Sequence, residues 1–253
     1  MFTIRPRRRR RRLLPMAAVL ILILGVGLAL AQPGRLPAPG DPAAKAAPSA
    51  RPSSVAATKG QDQSLVPDVS LTRLRWNDFY GVELPSSVSA GPRELRGGAA
   101  AGFAHSPLGA LLAAVNIGVR ANAQWGPRIF TAVIRGQITG PDAAALLASC
   151  QAAYDQASQA EGVTAGQPLG TADVAEEAFR WVAYTPAAAI LDLVSAGPGS
   201  NGATVRASVQ MEVIWDGGDW KVVAPPGGDW GNSAAGLSSL AGYTVFPGQG
   251  GGR

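Results

Sequence analysis

Residues 13–31 (LLPMAAVLILILGVGLALA) run for 19 positions without a charge, directly after an arm holding Arg5, Arg7, Arg8, Arg9, Arg10, Arg11 and Arg12. As a helix they would reach about 28 Å, close to the ~30 Å hydrocarbon core of a bilayer. Pro15 falls in the first turn, where its missing N–H costs little. Seven arginines ahead of the span, with Gln32-Pro33-Gly34 directly after it, predict a cytoplasmic N-terminus and an exported remainder. The arginines are expected at the membrane surface, where each basic residue near anionic head groups is worth about 1 kcal/mol. Ala29-Leu30-Ala31 ahead of Gln32 also fits a signal-peptide cleavage site, which would release a secreted domain. The apolar stretch is longer than the usual ~7–15-residue signal core, so an uncleaved anchor is the expectation. Its long Leu/Ile core also favours ordinary membrane insertion over twin-arginine export. Either way, everything from Gln32 onward is exported.

That arm explains the charge. Of 22 Lys and Arg, seven lie in it, and the remaining 15 face 17 Asp and Glu, so the rest of the 253-residue chain is near −2. No basic stripe interleaved with aromatics appears beyond the arm, which argues against direct nucleic-acid binding by the globular part. Cys150 is the single cysteine. It rules out an internal disulfide and reads as a small apolar residue on a helix face. Residues 32–67 are rich in Pro, Ala, Ser and Gly with few large apolar side chains. Such a stretch buries too little surface to offset its ordering entropy and predicts a disordered linker.

Order is expected from residue 68 to residue 230. Trp76, Phe79 and Tyr80 crowd one segment, punctuated by Gly81 and Pro85, which reads as an extended stretch over the core. Residues 87–101 read as loop, broken by Gly91-Pro92 and Gly97-Gly98. Ser106-Pro107 is an N-cap and first-turn pair. Leu108, Leu111, Leu112, Val115 and Val119 follow at helical spacing, predicting a helix over residues 107–123. Residues 128–139 fit a helical face or a mixed strand and turn, with a short helix preferred. A further helix is predicted over residues 141–160, with Leu146, Leu147, Cys150 and Tyr154 as its stripe. From residue 177 the period changes to two. Ala178, Arg180, Val182 and Tyr184 alternate against Phe179, Trp181 and Ala183. Strands follow at residues 188–195, 203–215 and 220–223, the last two joined by a hairpin at Asp216-Gly217-Gly218. Residues 231–253 form a Gly-rich tail with a short packed segment at 237–246. Helices followed by an antiparallel meander predict an α+β domain, in the form of an NTF2-like or cystatin-like cone.

Chemistry is sparse. His105 is the sole histidine, so sites needing two are excluded, and its neighbour Ser106 is badly placed for a triad; it reads as a capping or loop-packing residue. No G-x-S-x-G or phosphate-loop motif occurs. The acidic candidates are Asp78, Glu83, Asp173, Glu176, Glu177, Asp192, Glu212, Asp216, Asp219 and Asp229, and their spacing identifies no acid–base pair. Asp192 and Glu212 fall in predicted strands and are candidates to face a cone pocket. Trp76, Phe79, Phe103, Trp215 and Trp220, with Asp78 and His105, complete the set expected in a partner surface or pocket, against core or hairpin packing as the plainer reading. No catalytic residue, metal site or cofactor is expected.

Trp76-Asn77-Asp78-Phe79, Gly81-Val82, Leu84-Pro85, Gly91-Pro92, Gly102-Phe103 with His105, Pro107 and residues 109–114 (GALLAA), then residues 213–223 (VIWDGGDWKVV) and Ala224-Pro225-Pro226, form one motif set. Over residues 76–230 it resembles uncharacterised single-pass membrane proteins of actinobacterial integrative and conjugative elements. Their layout is similar to the NTF2-like scaffold subunits of type IV secretion systems: arm, one span, linker and cone domain. The resemblance implies a non-enzymatic, membrane-anchored structural component of a conjugative DNA-transfer apparatus, with the lipid bilayer and other channel subunits or its own copies as partners. An exported ligand- or cell-wall-binding module using the cone pocket is the alternative. A hydrolase using a pocket carboxylate is the third reading.

Overall fold

The computed structural model describes residues 66–199 and 202–248. The arm with Arg7–Arg12, the expected membrane segment 13–31 and nearly all of the expected linker 32–67 lie outside the described residues. Among the described residues no helix is long and apolar enough to cross a membrane.

Ser106, extended at φ −155°, accepts a bond from Gly109 N–H at 3.1 Å and starts helix α1 (Pro107–Arg120), as its residue type predicts. Eleven of its fourteen residues are buried, the mark of a helix enclosed on every side. It stops short of residue 123 because the Asn122 side chain takes the Gln124 N–H at 3.0 Å and begins a 3-10 turn, Ala123–Trp125. Helix α2 (Pro127–Gln137) settles the ambiguous segment: Phe130, Val133, Ile134 and Gln137 are its buried positions, one helical face. Helix α3 (Ala143–Glu161) buries Leu146, Cys150 and Tyr154 and ends on left-handed Gly162.

Two hairpins precede α1. Strands β1 (Arg75–Phe79) and β2 (Val82–Ser86) pair across Tyr80 and Gly81, at φ 53° and 91°. Both positive angles suit a tight two-residue turn, and Asp78 Oδ1 fastens it by accepting Gly81 N–H at 2.9 Å. One extended stretch was expected; a hairpin is found. Strands β3 (Glu94–Arg96) and β4 (Ala99–Ala101) likewise pair across Gly97-Gly98 inside the expected loop 87–101. The two glycines, both at positive φ, do not break a loop but make the turn of a hairpin.

The main sheet holds β5 (Ile138–Thr139), β6 (Ala175–Tyr184), β7 (Ala188–Pro198), β8 (Thr204–Asp216), β9 (Asp219–Val223), β10 (Ala234–Leu237) and β11 (Thr244–Val245). Its order is β11-β6-β7-β8-β9-β5, antiparallel except for β5 on β9. The free edge of β8 is shared, β10 pairing residues 206–209 and β9 residues 213–216. The segment expected as a tail thus supplies two strands. Helix α1 lies on one face of β7, β8 and β9, flanked by β2, β4 and α2, while α3 packs on α2. The architecture is mixed α+β.

Candidate functional site

The expected residues separate into three places. Phe103, His105, Trp215 and Trp220 meet at one corner. Trp215 and Trp220 face each other across the β8–β9 hairpin, with ring centroids 5.5 Å apart. His105 lies flat on Trp215, at 4.1 Å and 10°, and edge-on to Trp220 at 5.8 Å. Its Nε2 is 2.6 Å from the Pro186 carbonyl; a carbonyl only accepts, so Nε2 carries the proton. Trp220 is buried and donates Nε1–H to Ala104 O at 2.9 Å. Asp219 cements the corner: its carboxylate accepts Gly102 N–H at 2.7 Å, Phe103 N–H at 3.0 Å and Trp220 N–H at 2.9 Å. His105 is exposed and Trp215 half-buried, so this corner offers an aromatic surface.

Trp76 and Phe79 serve packing on the β1–β2 hairpin. Trp76 meets Phe246 edge-on at 5.8 Å, and Phe79 meets Trp125 at 5.2 Å. The Arg120 guanidinium sits 4.1 Å from the Phe79 ring centre. Arg120 is only 5 % exposed, and burial lowers its pKa to about 10, which leaves it charged at neutral pH. Asp78 is the turn fastener already described.

Asp192 and Glu212 do not face the helix. Met211, on the α1 side of β8, touches the space at Gly118 of that helix, so Gln210 and Glu212 point the other way. Glu212 is exposed, and Asp192, paired in register with Gln210, shares that outer face. There Asp192 Oδ2 accepts two bonds from Arg180, from Nε at 3.2 Å and Nη2 at 2.5 Å, and Oδ1 accepts Gln210 Nε2–H at 3.2 Å. Nearby, Glu177 takes Arg206 bidentately, at 2.5 and 2.9 Å.

The carboxyl that does enter the interior is Glu176. A bulge between Glu176 and Ala178 shifts the β6 register, so that the period-two rule places neither acid correctly. Glu176 is 3 % exposed, and Ser195 Oγ donates to its two oxygens at 2.9 and 3.0 Å. Burial raises its pKa to about 7, against the smaller lowering effect of that hydroxyl. The cavity beside it, lined by Val115, Gly118, Val119, Met211 and Trp230, holds about 30 Å³. That is room for about one water. An acid of this kind can give or take a proton near neutrality, in a cavity far smaller than a small-molecule site. Among the described residues no group of three His, Cys, Asp or Glu is placed to hold a metal ion. Cys150 is buried, its pKa pushed up to about 12, and its Sγ–H points to Ala121 O at 3.5 Å.

Sequence reasoning named Glu176 only as one acid among ten, gave Arg180 only as a position in a strand's alternation, and missed Arg120. No local signal marks them, because each owes its place to a strand or loop distant in sequence. A family model described as a domain of unknown function (DUF8175) matches residues 37–245. No curated protein and no solved structure matches the chain.

Proposed function

Since the chain belongs to the DUF8175 family, whose description carries no activity, we propose from its own architecture that it is a non-enzymatic, membrane-anchored scaffold component of a conjugative, type IV secretion-like DNA-transfer apparatus. The observation that carries this reading is how small the cavity beside the one interior carboxyl is. The cavity beside Glu176, between α1 and the sheet, holds about 30 Å³, where small-molecule sites take roughly 300–1,000 Å³. Glu176 therefore lacks the reach to a substrate that acid–base catalysis needs. The same small volume weighs against a ligand held in a cone pocket. The domain is an NTF2-like cone whose antiparallel strands wrap α1, with side chains where such a cone could be hollow. What it offers a partner is surface, and the His105–Trp215 stack, with His105 exposed and Trp215 half-buried, is an aromatic part of it.

The residue 13–31 span anchors the chain, with Arg7–Arg12 on the cytoplasmic side and the domain outside. The test is a photo-crosslinking residue in place of Trp215 in intact cells, followed by solubilisation and mass spectrometry. Capture of other secretion-channel subunits or a second copy, on chains that retain the arginine arm, is the expected result. Chains beginning at Gln32 with no protein captured would overturn it. Glu176→Gln should leave DNA transfer intact; its loss in a folded variant would favour an enzyme instead.

A further inference from the structure

The residues between β10 and β11 cross the outer face of the main sheet. They leave β10 beside β8 and rejoin at β11 beside β6, so they pass over β7. Beneath them is a groove of about 680 Å³, floored by Arg180, Asp192, Ser208 and Gln210 and rimmed by Asn232 and Tyr243 among others. Its size is that of a small-molecule or oligomer site, more than twenty times the interior cavity.

We propose that this groove binds an uncharged, hydroxyl-rich glycan. Three features point there. First, the floor is charge-balanced: Arg180 and Asp192 pair directly. A phosphate-rich ligand would meet a carboxylate, and a cation would meet a guanidinium. Second, three floor residues, Arg180, Asp192 and Gln210, are planar polar groups bonded to one another. Asp192 is 6 % exposed and both its oxygens are held, while Gln210 Oε1 and Arg180 Nη1 have no partner among the described residues. Fixed pairs of donors and acceptors suit adjacent hydroxyls, and preset geometry lowers the cost of binding. Third, apart from Leu237 the lining has no large aliphatic side chain, while the Tyr243 ring stands 4.7 Å from the Arg180 guanidinium. An apolar ligand or a peptide with apolar anchors finds no pocket, whereas a hydroxyl-rich ligand meets hydroxyl and amide groups on both floor and rim, at Ser208, Gln210, Asn232, Ser233 and Ser239.

The inference rests on the proposed export of the domain only for where the glycan is met; binding itself is independent of that. Full-length protein in nanodiscs, titrated with chitotetraose and with maltotetraose in a calorimeter, tests it. Saturable binding of either is expected, weakened at least ten-fold by Tyr243→Ala and by Asn232→Ala and unchanged by Glu212→Gln, with thermal melts confirming folded variants. No saturable binding of either sugar, or undiminished binding in both groove variants, overturns the proposal. A failed titration beside successful capture of channel subunits would remove the glycan site and leave the scaffold reading standing.

Discussion

Glu176 has its carboxyl in an apolar interior with one hydroxyl as partner, so its proton stays on in the folded chain to about pH 7, against an ordinary value of 4.5. The sign follows from linkage. Below pH 4.5 both states are protonated and the group is neutral in its effect. As pH rises from about 4.5 to 7 the unfolded chain releases the proton first, so stability falls, by roughly 3 kcal/mol in full. Glu176→Gln should therefore flatten the loss of melting temperature between pH 5 and 7.5 and raise stability at pH 8. Parallel denaturant titrations at several pH values check this; equal slopes for both proteins would contradict it. Cys150, with its thiol pushed up to about 12 and buried on α3, should resist thiol reagents in the native protein and react fully only after unfolding, which a colorimetric thiol assay reads directly.

At the scale of elements, the joins are made by backbone groups that must be satisfied. Asp219 begins β9 and takes the N–H groups of Gly102 and Phe103, at the end of β4. Asp219→Ala leaves these donors without partners, at a cost of roughly 1–3 kcal/mol, and should also loosen the His105–Trp215 stack; chemical denaturation and tryptophan fluorescence would report both. Gly109 is a second join. A Cβ there would overlap the Ala104 carbonyl, which is backbone and cannot swing aside. Gly109→Ala is expected to destabilise by about 1–3 kcal/mol despite alanine's better helix propensity, and a melt at the wild-type midpoint would refute the close approach.

For the whole molecule, the C-terminal segment is part of the domain. Phe246 is 1 % exposed, packed between Trp76 of the first hairpin and Phe179 of β6, so the two ends of the described chain close on the same core. Phe246→Ala should cost about 3–5 kcal/mol. A thermal series of this variant beside the wild type resolves it.

Much of this was legible in the sequence because it is encoded locally. Ser106-Pro107 marks a helix start, the Leu146–Cys150–Tyr154 spacing marks a helical face, and Asp216-Gly217-Gly218 marks a hairpin; each depends on neighbours a few residues away. The α+β order follows from the same periods. Tertiary structure decided the rest. Gly97-Gly98 became a hairpin turn because β3 and β4 had each other to pair with. Which carboxyl turned inward depended on one bulge in β6: by putting Glu176 inside and Glu177 on Arg206, it reversed the parity that alternation alone implies. The cavity beside Glu176, the Asp219 clasp and the groove over Asp192 join residues as many as 117 positions apart. Such contacts leave no local pattern, since they arise only when packing brings distant segments to one place.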